Sequence, residues 1–139
     1  MKTKQDIAGF VLRITLATGF LSAVASRLNL WGPQSSGWKN FVQYTAEVNS
    51  FLPSSWIPTI AVLSTVAELT IGILLLAGYQ VRKTALSASL LTLVFAIAMS
   101  ISFGFKETLD YSVFVFSAGA FLLSTFPRYL WSLEQFSHQ

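Results

Sequence analysis

Four long apolar stretches separated by short polar connections dominate this chain: 7–24, 57–78, 85–105 and 111–126. Each approaches or reaches the ~20 predominantly apolar residues that a helix needs to cross hydrocarbon. The pattern predicts an all-α membrane protein, a bundle of four transmembrane helices rather than three. They span about 7–25, 57–78, 84–105 and 111–127 within one integral membrane domain, 1–139. The fourth run is the shortest; continuing it through Pro127 to Trp131 would lengthen it at the interface, where a proline near a helix end is tolerated. The connection 78–83 is tight, which makes the second and third helices antiparallel neighbours. Only the first outer loop, 27–55, is large enough to have structure of its own. It opens with turn-forming Gly32, Pro33 and Gly37, then places Trp38, Phe41, Val42, Thr45, Val48 and Leu52 at steps of three and four. That is the stripe of a short amphipathic helix lying in the membrane interface or across the bundle mouth, either as a shield or as a lid over a ligand cavity. Small residues at four-residue spacing, Thr18, Ser22 and Ser26, then Ala85 with Ser89 and Ala96 with Ser100, suit close helix packing.

Composition agrees with this pattern. Of 139 residues, 53% are hydrophobic and only 11% charged, and the mean hydropathy is +0.60, values that exclude an ordinary water-soluble domain. Lys2 and Lys4 ahead of an apolar run resemble the start of a signal peptide. However, Arg13 interrupts the run and 26–29 has no small-x-small cleavage site, so a retained helix is expected, with no attached soluble domain. Lys2, Lys4, Arg82, Lys83 and Arg128 flank one side of the spans, and Arg27, Lys39 and Lys106 the other, which predicts cytoplasmic termini. The net charge of +3 is scattered over helix ends, so no nucleic-acid partner is expected; the lipid bilayer is the first partner, with other membrane subunits or further copies of the chain beside it. With no cysteine and one histidine, His138, the chain supplies no thiol relay, thiolate metal site, iron–sulfur cluster or bis-histidine haem, and no metal site is expected. Redox chemistry would need a bound organic molecule, of which a quinone is one, or another subunit.

One residue stands out chemically. Glu68 places a carboxylate deep in the second span, where an ionisable group normally faces the bundle interior, pairs, or lines a path for protons or polar ligands. Arg13 in the first span is the expected partner. Counted from the helix ends, Arg13 lies roughly 9 Å and Glu68 roughly 15 Å inward, a mismatch within an arginine's reach. A guanidinium would keep the carboxylate ionised and fits it bidentately. Three readings stay open: an ion pair that sets helix register, a ligand or proton site joined by Thr15 and Thr65, or an Arg13 that snorkels to the headgroups on its own. Ser and Thr in membrane helices most often bond their own backbone, Thr70 included. A second polar cluster, Lys106, Glu107, Asp110 and Tyr111, reads as a solvated outer turn, with Asp110 alternatively capping the fourth helix. Trp31, Trp38, Trp56 and Tyr111 on the outer side, and Tyr79, Tyr129 and Trp131 on the inner, read as aromatic belts.

The arginine of the first span, the run AELTIGILLLAG over 67–78 and the basic pair Arg82-Lys83 resemble the DoxX family. The stretches 20–32 and 106–114 extend the resemblance over essentially the whole chain. It implies a four-helix bacterial inner-membrane protein associated with quinol oxidation, a small subunit or accessory of a membrane oxidoreductase, with no agreed catalytic set to carry onto numbered positions. A non-redox bundle that binds or transports a lipid or small molecule, and a purely structural subunit, remain as alternatives.

Overall fold

The computed structural model describes residues 3–137; Lys2 and His138 lie outside the described residues. The first helix, α1 (Lys4–Arg27), is nucleated by a reciprocal cap in which Thr3 Oγ1 accepts from the Asp6 amide at 3.1 Å and Asp6 Oδ2 accepts from the Thr3 amide at 2.9 Å. A 3₁₀ turn (Gly32–Gln34) leads to α2 (Trp38–Val48), and a second (Ser54–Trp56) leads to α3 (Ile57–Ala77), with Pro58 in the first turn where no amide partner is lost. Gly78, at φ +76°, closes α3 in the left-handed conformation that glycine adopts without steric cost. Then follow α4 (Val81–Phe103), α5 (Phe105–Asp110), α6 (Val113–Ser124) and the short α7 (Leu133–Ser137).

Three helices, α1, the segment Ser54–Ala77 containing α3, and α4, are long and apolar enough to cross a membrane. The expected fourth span is shorter than 111–127. Its apolar helix α6 has 12 residues, about 18 Å, against the ~30 Å of a hydrocarbon core. Two backbone features shorten it. Ser112, at φ +57°, separates it from α5, and the helix ends at Ser124, ahead of Pro127, which has no amide to continue the ladder. Beyond Pro127 the chain folds back as a strap, so the extension to Trp131 is not helical. Asp110 does not cap the fourth helix either: it is the last residue of α5, and Ser112 takes the N-cap position of α6.

Antiparallel pairs build the bundle. The most extensive packing is α4 on α6 and α1 on α3, and the contacts α3–α4 and α1–α6 complete the ring. Backbone approach explains the first pair: Ala85, Ala88, Ser89 and Ala96 of α4 and Ser117, Ala120 and Ser124 of α6 are all buried, and Ser117 Oγ donates to Ser89 O at 2.8 Å. Between α1 and α3 the close approach is at Gly72, where an added Cβ would lie 2.8 Å from the Leu21 side chain. Thr18 and Ser22 instead face outward. The outward faces are apolar, Val62, Leu63, Val66 and Ile73 on α3 and Leu90, Val94, Ile97 and Ile101 on α4, the surface that lipid tails require. The amphipathic α2 lies against α3 and α4, burying Thr45 and Val48 of the expected stripe. The end carrying α2 and α5 is the loop end of the bundle, and the end carrying the α3–α4 connection is its turn end.

Candidate functional site

Glu68 sits about 11 residues into α3, roughly 17 Å from its first residue, and it is paired with Arg27 and not with Arg13. Arg27 Nη1 donates to Glu68 Oε2 and, at 3.0 Å, to Thr65 Oγ1. Its guanidinium lies over the Phe41 ring of α2 at 3.7 Å from the centroid, a cation–π contact. The side chains of Arg27 and Glu68 are 11% and 20% exposed, so the pair is largely withdrawn from the surface.

Side-chain direction explains the exchange of partners. Helical side chains lean toward the N-terminus of their own helix. Arg27, the last residue of α1, therefore leans back into the bundle, and Glu68 leans toward the loop end to meet it. Arg13, on the same helix as Arg27, also leans toward the turn end, and there this carries it away from Glu68. It is level with Leu75 and Leu76, some 7–8 residues or about 11 Å along α3 from Glu68, because α1 overhangs the C-terminus of α3 instead of starting level with it. The role of Arg27 was missed because it stands at a helix boundary, where a cation is ordinarily read as a flanking charge; the lean of its Cα–Cβ bond was the available signal.

Two cavities meet at Glu68. One of about 390 Å³ opens between α1, α4 and α6 and is lined by Phe20, Ala23, Tyr111, Val113 and Phe116 together with Glu68. The other, about 160 Å³, lies under α2 between Phe41, Thr45, Asn49, Ser64 and Arg27, again with Glu68. Thr92 and Phe95 of α4 border both. The walls are mostly apolar, and Glu68 is the carboxylate common to both spaces. Helix α2 is fastened over this site: the Gly37 amide donates to Ser26 O at 3.1 Å, and Ser102 Oγ of α4 donates to Val48 O. The chemistry on offer is one donor fork, one acceptor able to carry a proton, and hydroxyls at Thr65, Ser64 and Thr92, beside space suited to an apolar body.

Of the other expected site residues, Thr65 is buried and belongs here, bonding Ala61 O at 2.8 Å while accepting from Arg27. Thr15 is exposed on α1 and donates to Val11 O of its own helix. Lys106 and Asp110 form an exposed i,i+4 pair at 2.8 Å, and Tyr111 beside them is itself exposed, though it reaches the wall of the larger cavity. Nearby, Tyr44 of α2 stacks on Phe103, and burial first, then Tyr111, Glu107 and Glu47, pushes its hydroxyl above the ordinary range, so it stays a neutral donor. Among the described residues no group of three or more His, Asp or Glu is placed to hold a metal ion.

Arg13 does a different job. It is 1% exposed and donates from Nη1 to Leu75 O at 2.6 Å and Leu76 O at 3.0 Å, and from Nη2 to Leu130 O at 3.3 Å and Trp131 O at 2.8 Å. A cation thus meets the orphan carbonyls at the C-terminus of α3, where the helix dipole favours it, and ties them to the strap. Arg82 does the same for α6, donating to Ser124 O and Phe126 O at 3.2 and 2.9 Å. The Glu134 carboxylate accepts from the Val81 amide at the start of α4 at 2.7 Å.

The family described as methylamine utilisation protein MauE has a model that matches residues 5–112, a stretch that holds Arg13, Arg27 and Glu68 and ends before α6. This overturns the resemblance to the DoxX family, which is a different family of membrane proteins and gives no match. The motifs behind that resemblance are largely apolar, and membrane helices of unrelated families share such runs. No curated protein and no solved structure matches the chain.

Proposed function

Because the chain belongs to the MauE family, we propose that it serves as a membrane-embedded accessory of an oxidation system, such as the methylamine utilisation its family description names. We place its working site at the Arg27–Glu68 pair. The observation that carries this reading is a carboxylate held in the bundle interior at the junction of two mostly apolar cavities. A buried ionisable group in a membrane bundle marks a functional site by default. The ligand class that fits both halves of the site is an amphiphile whose polar head carries carbonyl or hydroxyl oxygens. Arg27 donates to an oxygen, Glu68 accepts or returns a proton, and the apolar walls hold the body. A quinone has that chemistry and would link the accessory to electron transfer. The basic flanks at the turn end favour an inner-membrane topology with that end cytoplasmic.

The test is native mass spectrometry with lipid extraction on gently purified protein, comparing wild type with Arg27→Gln, Glu68→Gln and the exposed control Thr15→Ala. A quinone that co-purifies with wild type and the control, and is lost from both site variants, is the expected result. Bulk lipid alone in all four preparations would leave the pair as a structural contact and end this reading.

A further inference from the structure

At the turn end, away from the Glu68 site, a cavity of about 540 Å³ is lined by three cations, Arg82, Lys83 and Arg128, against one carboxylate, Glu134. Four observations define its electrostatics. Arg82 is anchored by the neutral carbonyls of Ser124 and Phe126, which hold its guanidinium in place without cancelling its charge. Arg128 is offset by Asp6, whose carboxylate it grips from Nε at 2.8 Å and from Nη2 at 2.5 Å. Glu134 is engaged by the first amide of α4. Lys83 forms no ion pair among the described residues. With Asp6 counted beside the lining, three cations face two carboxylates and one net positive charge remains; Arg82 and Lys83 are the lining cations that form no ion pair among the described residues, and Gln80 and Gln135 add amide side chains to the same wall.

A second feature says what kind of anion belongs there. From Lys83, steps of three and four residues along α4 lead through Leu86, Leu90, Val94, Ile97 and Ile101, all exposed and all apolar. The cation pair thus stands at the head of a lipid-facing stripe that runs nearly the length of the longest apolar stretch of α4. A headgroup phosphate seated at Arg82 and Lys83 would place its acyl chains along that stripe, whereas a free phosphate would make no use of it.

We propose that this cavity is a binding site for the phosphate of an anionic membrane lipid, held by Arg82 and Lys83 with acyl chains against the outer face of α4. Basic pockets between helices at the cytoplasmic face of membrane proteins take lipid headgroups by this physics: each cation near an anionic headgroup contributes roughly fivefold in affinity. The site stands independently of the Glu68 reading, since it lies beyond the C-terminus of α3, which is about 14 Å from Glu68 along the helix, and shares no residue with it.

The experiment is a native mass spectrometry titration of the full chain in mild detergent with phosphatidylglycerol and, separately, phosphatidylcholine. Wild type is compared with Lys83→Gln, Lys83→Arg and Lys39→Gln, the last an exposed cation at the loop end. Arg82 is left intact because it also caps α6. Wild type should prefer phosphatidylglycerol, Lys83→Gln should bind it about fivefold more weakly, and Lys83→Arg and Lys39→Gln should bind as wild type. Thermal unfolding of Lys83→Gln at the wild-type temperature shows that the loss is not misfolding. Equal retention of both lipids, or equal losses in Lys83→Gln and Lys39→Gln, overturns the proposal. Inorganic phosphate that displaces the lipid and by itself raises the unfolding temperature of wild type as much would assign the site to free phosphate instead.

Discussion

Gly78 and Glu68 respond to substitution in different ways. Gly78 has φ +76° and no room: a Cβ there would lie 2.4 Å from Ser132 Cβ and 2.9 Å from Arg13 Nη1. Gly78→Ala thus adds left-handed strain to a clash with the strap, and should cost about 2–4 kcal/mol. Denaturant unfolding in detergent measures this, and a change below about 0.5 kcal/mol would mean the strap yields freely. Glu68 fails electrostatically. With its partner removed, a charged group is left largely withdrawn from the surface, so Arg27→Gln and Glu68→Gln should each destabilise more than the double variant does per site. Because both side chains keep some exposure, the coupling expected from a double-mutant cycle is about 1–3 kcal/mol. A cycle that closes at zero would show two independent side chains. Sequence sufficed to single out Glu68, since a carboxylate in an apolar run is conspicuous in any context. Its partner was hidden because partner choice follows from the lean of side chains and the offset of α1 against α3, neither of which is visible in spacing counted from helix ends.

Among the helices, the α4–α6 seam is the most sensitive to size. Ala88 and Ala120 are fully buried there, and the Ser89–Ser117 hydrogen bond shows how closely the backbones approach. Ala120→Leu should force the helices apart at a cost of about 1–3 kcal/mol or more, while Ala118→Leu, one face away and exposed, should stay within about 0.5 kcal/mol. Unfolding measured side by side in detergent or bicelles distinguishes the two, and similar losses would refute the seam. Helices α1, α3 and α4 and the amphipathic α2 were legible in advance, because apolar runs near 20 residues and a three-and-four stripe each have one physical reading. The fourth helix is shorter than its apolar run. Apolar composition continues from Tyr111 to Phe126, but the left-handed Ser112 at one end and Pro127 beyond the other cut the helix to Val113–Ser124, and apolarity alone does not report backbone breaks.

For the molecule as a whole, the strap after α6 closes the turn end by cross-bracing. Arg13 ties it to α3, Arg82 caps α6 beneath it, Glu134 caps α4, and Arg128 reaches Asp6 at the start of α1. Arg128, beyond the spans, is held charged above its ordinary range by that hydrogen bond. Phe10 lies over the Arg13 guanidinium, and Trp131 packs edge-on against Phe10, at 4.8 Å between centroids. Arg13→Gln should therefore release the strap before the bundle. Amide exchange at Glu134, whose N–H is bonded to Gly78 O, should accelerate roughly thirtyfold, corresponding to about 2 kcal/mol, with little change in α2. Uniform acceleration across the chain would show that Arg13 supports the whole fold and not the strap alone. The amino-acid sequence by itself determined that this is a helical membrane protein with a short amphipathic helix in one long loop, and that Glu68 is its least ordinary residue, because hydrophobic length, periodicity and the cost of a buried charge are local properties of the chain. Only the tertiary structure decided which arginine meets Glu68, that two cavities converge there, and that Arg13 binds carbonyls instead of a carboxylate. Those outcomes depend on the axial shift of α1 against α3, whose contacting residues lie 41 and 62 positions apart in sequence, and a shift of two turns, about 11 Å, exchanges one partner for another without altering a single residue.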